Sequence, residues 1–426
     1  MVKTLDQLNT AYHDIFYSED NALLPLLLAI VVGSRLTTPT TWLFIVGPSS
    51  GGKGTVLSIL NKVTWIRQIS DLTPNTLLSG MKVVGKETSL LKDLGNNFCV
   101  TMKDFTTMIS KDEAARGQIL AQLREVYDGH ITKATGNGQL IEWGSKSEPW
   151  KSTFIMATTE EIYSLQQETN GMGARAINYV FTPQDRKRTM RASLDNKRSA
   201  ERFNKKLGAL QDDVHEFIME KIATAPYEFA PVPLDIENDI IDVADLSTQC
   251  RSSVNRNFRG EKTLALSAEF PMRMGEQLLA IAQLLMHING GELTTVLRNA
   301  IYKTAFDSIP KQRRMVLEVI TKYPKIEILG MALAMNYPPD LVRAWVEDLN
   351  MFGIVIPIRD GKREYWAITE EHRKTLVRFL GIEQVDYDLE SDESGRIAQN
   401  KKAMKSASWQ ERQEMLDDNR FFEELK

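Results

Sequence analysis

GPSSGGKGT, residues 47–55, follows the apolar run TWLFIV and precedes VLSILNKV, whose apolar residues recur at helical spacing. Strand, glycine-rich loop and helix in that order make a cradle for phosphate. The glycines let backbone N–H groups turn toward phosphate oxygens, and a lysine adds a mobile positive charge. The pattern G-x-x-x-x-G-K-[ST] is met at Gly47, Gly52 and Lys53, but Gly54 stands where a hydroxyl residue is expected. Pro48, Ser49, Ser50 and Gly51 complete the cradle, with Lys53 as the candidate for the β and γ phosphates. Thr55, one residue past the missing hydroxyl, is the candidate to reach a magnesium ion or its waters.

Around this loop the chain has an ordinary globular composition. It holds 426 residues, 42% hydrophobic and 25% charged, enough for two or three domains. Two distant cysteines, Cys99 and Cys250, give neither a disulfide framework nor a zinc pattern, and point to a reducing, cytoplasmic setting. Five histidines argue against a histidine metal centre. The run LLPLLLAIVVG from Leu23 is about half of the ~20 residues a membrane helix needs. It follows Glu19 and Asp20 and is expected to be a buried helix, with no membrane partner. A formal net charge of −4 gives no global attraction to nucleic acid, so any such contact must come from local basic clusters.

Outward from the loop, short apolar runs alternate with helical stretches to about residue 185, the pattern of an α/β sheet. NNFCVTMKDF, STFIMATT and AINYVF read as further strands, and EAARGQILAQLREVYDG as a helix. HITKATGNGQLIEWG reads as an inserted hairpin, at about 128–143, turning at Gly-Asn-Gly. Residues 186–305 read as helical, broken by PYEFAPVPLDIEND. Residues 306–382 hold three helices and two strands joined at Asp360-Gly361, the order of a helix-turn-helix with a β wing. Residues 383–426 read as a charged tail with an acidic linker and one short helix.

Asp104 ends the FCVTMKD strand, where an acid holds the metal or polarises the attacking water in phosphoryl transfer. Both roles are open to it. The basic run DRKRTMR, from Asp185, reads as a linker or a subunit contact.

The order of phosphate loop, KDF strand, helix, hairpin, ATT strand, GMGARAINYVF and a distant FPMRMGEQLLAIA resembles that of AAA+ ATPases over most of residues 20–380. It is similar in particular to the hairpin-bearing branch that includes the minichromosome-maintenance helicases, and to such ATPases of phages and other mobile elements. The resemblance implies an AAA+ P-loop core at 1–185, a helical lid and linker at 186–305 and an α+β winged-helix domain at 306–382. It implies ATP and Mg2+ as cofactors and a homo-oligomer, a hexameric ring, with ATP held between neighbours. Carried over to this chain, Thr158 or Thr159 is the sensor of the γ-phosphate, a place where the family usually has Asn. Arg175 is the arginine finger, with Arg186 and Arg188 as competitors, and Arg273 the second sensor. Arg251 and Arg256 fall in another arginine-bearing stretch of the lid.

DNA is the implied partner. Lys133, near the hairpin tip with His130 and Thr132 beside it, is the expected contact to a strand in the channel. Arg343 on the third helix of the C-terminal unit, with Arg359, Lys362 and Arg363 on the wing, is expected to meet duplex. Trp345 and Leu349 are expected on that helix's core face, while Asp340, Glu347 and Asp348 dilute its charge. The leading expectation is a DNA-associated ATPase motor, an initiator or replicative helicase of a phage or mobile element. The alternative is a nucleotide-controlled DNA switch for loading, transposition or transcription. A nucleoside monophosphate kinase, suggested by G-K-G-T, leaves the hairpin and the winged helix without a place.

Overall fold

A computed structural model of the chain describes residues 2–18, 20–79, 82–83, 86–87, 89–134, 140–168, 175–181, 185–256, 262–265 and 268–382. The expected tail, the Gly-Asn-Gly turn of the hairpin and the Gly-Met-Gly before Arg175 lie outside these residues. Two compact units divide the chain, Met1–Lys311 and Gln312–Lys426. The stretch expected as a separate lid thus falls in the same unit as the core.

Five parallel strands make the central sheet of the first unit among the described residues. They are β1 (Trp42–Val46), β2 (Ile66–Ile69), β3 (Phe98–Met102), β4 (Ser152–Thr158) and β5 (Ala176–Val180), in the order β2-β3-β4-β1-β5. The three central strands are buried along their whole length, which is why WLFIV, FCVTM and STFIMAT read as continuous apolar runs rather than alternating ones. One face carries a core of Trp42, Phe44, Val100, Met102, Phe154 and Met156, closed by Leu120 and Leu123 of the helix Glu113–Tyr127.

The apolar run becomes α1 (Leu23–Gly33), and all eleven of its residues are buried. Pro25 sits in its first turn, where no intrahelical donor is lost. Asp20 accepts the amides of Ala22 and Leu23 at 3.0 and 3.1 Å, serving as the cap that Ala22 lacks. Past the other end, the Lys151 Nζ donates to the carbonyls of Gly33, Leu36 and Thr38 and to the Thr38 hydroxyl, all within 2.9 Å. Burial pushes this amine down to about 7, while its four oxygen acceptors favour the ammonium.

Helices further along the chain close over α1. The phosphate loop is followed by the short α2 (Lys53–Leu57), which tightens into a 3-10 turn by Leu60, earlier than the apolar spacing predicts. The basic run becomes α3 (Arg186–Arg198), which buries none of its residues. Ala200–Ala223, Leu234–Arg251, α4 (Met272–Ile288) and α5 (Thr295–Asp307) follow. The Leu284 side chain of α4 packs so closely on the α1 backbone that a Cβ on Gly33 would lie 2.5 Å from its Cδ1.

As the edge strand, β5 has outward N–H groups that need partners. Its Val180 amide donates to Asp307 Oδ2 at 2.7 Å and its Asn178 amide to Ser308 Oγ at 3.0 Å, both from the end of α5. Lys303 closes the arrangement by pairing with Asp307 and donating to the Val180 carbonyl at 2.8 Å.

The inserted hairpin pairs His130–Ala134 with Leu140–Gly144, Ile131 opposite Trp143 and Lys133 opposite Ile141. Ile131, Ile141 and Trp143 are buried in the sheet's core, so this hairpin lies with one face on the body of the unit.

The second unit follows the order read from sequence, helices Lys311–Lys322, Ile328–Met335 and Pro339–Met351 and strands Val355–Asp360 and Arg363–Ile368, and adds a fourth helix, Glu370–Leu380, that the sequence reading did not include. The strands pair antiparallel, with Gly361 at φ +57° in the turn, and Ile326 bridges to Trp366 at their side. Val342, Val346 and Leu349 form the buried stripe of the third helix, whereas Trp345 is only half-buried and stands edge-on to Tyr337. Asp348 does not dilute surface charge, because it is buried and paired with Arg313 at 3.3 Å.

Removing the Asp307 carboxylate leaves the Val180 amide and the Lys303 ammonium without their partner beside the sheet edge. Asp307→Ala is expected to cost about 2–4 kcal/mol of unfolding free energy, read as a lowered midpoint in urea denaturation.

Candidate functional site

The root of the phosphate loop is fixed from both sides. The Gly47 amide donates to the Thr158 carbonyl on β4 at 3.1 Å, and the Phe181 amide, just past β5, donates to the Val46 carbonyl at 2.7 Å. A Cβ on Gly47 would meet the Phe181 carbonyl oxygen at 2.2 Å, so this position admits only glycine. Ser50 at φ +60° and Gly52 at φ +90° take the left-handed conformations that turn the loop. The Lys53 side chain is 8% exposed overall and folds back on its own loop, donating to the Gly47 and Pro48 carbonyls at 2.7 Å each. Burial lowers its pKa and the nearby Asp104 charge opposes that shift.

β3 brings the second half of the site. Met102 pairs with Met156, which pairs with Phe44, and all three point into the sheet's core. One step on, Lys103 stands in the bend just past the end of β3 and is exposed. Its Cβ, Cγ and Cδ lie 3.8 Å from where a Cβ on Gly54 would be, so its stem rests against the position of the missing hydroxyl. The Phe105 amide ties the strand end to the Ala157 carbonyl at 2.7 Å, and Asp104 Oδ1 accepts the Thr106 amide at 2.9 Å.

These pieces line one cavity of about 1000 Å³ at the carboxyl ends of the strands, the place where parallel α/β sheets bind ligands. Residues 49–56, Lys103, Asp104, Thr106 and Thr159 form one wall, while Ser193, Asn196 and Lys197 of the α3 stretch and the rings of Tyr12, Phe16 and Phe203 form the other. The Thr106 and Thr159 hydroxyls are buried and make no hydrogen bond. Two orphaned hydroxyls on a wall that also carries a phosphate-type loop and two lysines suit an anionic, oxygen-rich ligand. A polyphosphate therefore fits the residues present, with the partly exposed Phe16 and Phe203 on the opposite wall.

Magnesium fits less well. Mg2+ wants oxygen ligands in an octahedron, and in P-loop enzymes the protein supplies them from the hydroxyl after the lysine and from the strand-end acid. Here the first is Gly54, and the residue facing it is Lys103. Thr55 is exposed on the same cavity, whose carboxylates among the described residues are Asp104 and Glu161.

Other expected site residues lie elsewhere. Of the two threonines, Thr159 borders the cavity, whereas Thr158 is 1% exposed, its carbonyl accepting the Gly47 amide and its buried hydroxyl making no hydrogen bond. Arg175 and Arg273 come together around the Tyr127 ring, their guanidinium carbons 6.0 and 5.9 Å from its centroid. Arg175 also pairs with Asp128 at 2.7 Å. Arg175 directly precedes β5, and the Tyr127 hydroxyl donates to Thr40 just before β1. Both arginines therefore sit at the amino end of the sheet, about 15 Å or more along the strands from the loop. Arg251 is engaged in a buried bidentate pair with Glu269 at 2.8 and 2.9 Å, not in the site. The Arg256 side chain lies outside the described residues. Arg188 stacks on Tyr17 at 4.5 Å and Arg186 is exposed.

Lys133 is not a free cation on the hairpin. Its Nζ donates to the Pro74 and Leu78 carbonyls and to Asn75 Oδ1 at 3.0–3.1 Å, and burial lowers its pKa. His130 and Thr132 face the other way, Thr132 reaching Glu142 across the strands at 3.4 Å. In the second unit Arg343 and Arg359 share Glu364 at 3.7 Å and remain half or more exposed, and Lys362 and Arg363 are exposed. Sequence reasoning missed Lys103, Thr106 and the aromatic wall. For Lys103 and Thr106 the signal was their position on either side of the strand-end acid.

No family model matches the chain, and no curated protein does. Among solved structures, three apo forms of an NrS-1 C-terminal region match at 13%, 10% and 11% identity. The alignments cover 87%, 93% and 86% of this chain and 76%, 72% and 76% of those chains. Their TM-scores are 0.25, 0.26 and 0.25, at which the likeness carries no functional argument.

The two loop glycines should respond oppositely to a methyl group. Gly47→Ala is expected to cost about 1–3 kcal/mol or more through overpacking, and to disrupt ligand binding. Gly54→Ala, at a helical position with ordinary contact distances, is expected to gain about 0.4–1 kcal/mol. Denaturant titration of both variants reads the sign.

Proposed function

We propose that this chain binds and hydrolyses ATP and couples the nucleotide state to work on DNA, as an assembly of AAA+ type. The observation that carries this reading is the cavity at the strand ends where the phosphate loop, buried Lys53, Asp104 and two unbonded threonine hydroxyls converge. Lys53 now rests on two carbonyls, and an entering phosphate would replace them as its partner. Asp104, with one oxygen fixed by the Thr106 amide, is the group to orient an attacking water. Thr159 and Thr106 are the donors for phosphate oxygens.

An oligomer is part of this proposal. Arg175 and Arg273 stand at the far end of the sheet from their own loop, so a guanidinium from either would meet a nucleotide only in a neighbouring subunit. Asp128, which pairs with Arg175, would be exchanged for phosphate there.

A ring motor that moves along DNA is the first form of the reading, in keeping with an initiator or helicase of a phage or mobile element. A nucleotide-controlled DNA switch that does not translocate is the second, and Lys133 favours it: the residue expected to grip a strand is instead held by the segment 74–78. In both forms the exposed Arg343, Arg359, Lys362 and Arg363 of the second unit are the proposed duplex contacts.

Steady-state ATP hydrolysis should depend on Lys53 and rise with DNA. Lys53→Ala is expected to reduce turnover by about a hundredfold or more, and turnover indifferent to single-stranded and duplex DNA would remove the DNA half of the proposal. Strand displacement on a forked duplex separates motor from switch. Replacing Arg359, Lys362 and Arg363 together by alanine is expected to flatten the log–log salt dependence of duplex binding by about 2–3, roughly 0.9 for each phosphate that is no longer neutralised.

A further inference from the structure

The phosphate site carries a second lysine where P-loop enzymes hold their metal. Gly54 removes the hydroxyl that would ligate magnesium, and the bend after β3 brings the stem of Lys103, not an acid, to within 3.8 Å of that position. The two departures fit each other. The Lys103 stem lies beside Gly54, its carbons 3.8 Å from the space a Cβ would take, in ordinary van der Waals contact with it. Lys103 is exposed and lines the cavity, and no hydrogen-bonding or ion-pair partner is found for its amine among the described residues.

An ammonium and a magnesium ion at one point repel each other, and the lysine offers the metal no oxygen. A triphosphate, by contrast, accepts hydrogen bonds from both lysines, each a charge-assisted contact.

We propose that Lys103 is the second cation of this site, so that the nucleotide triphosphate is held between the Lys53 and Lys103 ammonium groups without a protein-bound magnesium ion. The inference rests on the nucleotide reading above and narrows it: Lys103 occupies the metal's place, and Asp104 keeps the water-orienting role. Thr106 and Thr159 then complete the phosphate contacts from the same wall.

The test is binding of a fluorescent ATP analogue to the full-length protein, in excess EDTA and in millimolar magnesium. It compares wild type, Lys103→Met and the double variant Gly54→Thr with Lys103→Asp, with thermal melting to confirm that each is folded. Expected are comparable wild-type affinities in both buffers and a loss of about 10- to 100-fold in Lys103→Met in EDTA, the weight of one charge-assisted contact. The double variant, with the hydroxyl and the acid restored, is expected to bind only with magnesium. Wild-type binding that requires magnesium, or binding in EDTA that Lys103→Met leaves unchanged, overturns the inference and leaves the nucleotide reading standing. Absence of binding by wild type in both buffers overturns both.

Discussion

The last peptide units of β1 are held from both sides, and the rest of the site depends on that grip. Gly47 donates to β4, Val46 accepts from the residue after β5, and the loop leaves the sheet through a gap that has no room for a Cβ. Buried backbone bonds of this kind are individually modest, about 1 kcal/mol net each. Here they act on a segment whose neighbours are wholly buried strands, so the loop cannot shift without breaking the sheet. Lys53 uses the same rigidity, since both carbonyls that hold its amine belong to the fixed root.

The grip would mean little if β5 were free to peel away. As an edge strand it has only β1 on one side, and its other side is sealed by Asp307 and Ser308 from α5. That helix belongs to the layer closed around the fully buried α1. The phosphate loop is thus coupled through β5 to the helical half of the unit, the half expected to act as a mobile lid. Its helices share the compact unit with the sheet, so a conformational signal would have to pass through packed contacts such as Gly33 against Leu284 rather than across a hinge.

The features legible in the sequence were those written locally. The continuous apolar runs gave β1, β3 and β4 because buried parallel strands need no polar face, and LLPLLLAIVVG gave α1 because a helix surrounded by protein is apolar all round. The loop gave itself away through its glycines. Lys133 was misjudged although its strand held the answer: it shares a face with Ile131, two residues away, and Ile131 is buried. Arg175, Arg251 and Arg273 could not have been placed from sequence, because a guanidinium's partner is set by tertiary approach. Asp128, Glu269 and the Tyr127 ring are not marked by any spacing. Lys103 lay in plain view beside Asp104, but its meaning depends on Gly54, about fifty residues away, and only the fold joins them.

That pairing bears on what the site does with a bound phosphate. A lysine and a magnesium ion together bring three positive charges to the β and γ phosphates; Lys53 and Lys103 bring two, with Lys197 on the other wall and the Asp104 and Glu161 carboxylates lining the same cavity. Fewer fixed positive charges stabilise the charge that develops on the transferred phosphoryl group less well, while the ground-state triphosphate still finds its hydrogen bonds. The Thr106 and Thr159 hydroxyls act in the same direction. Left unbonded, they cost about 1–3 kcal/mol each, and a resting ligand relieves that cost as fully as a transition state does. Interactions satisfied equally in both states raise affinity rather than turnover. On the proposed nucleotide reading, the chemistry of the wall is thus weighted toward holding its ligand, which accords with the proposed switch more readily than with a fast motor.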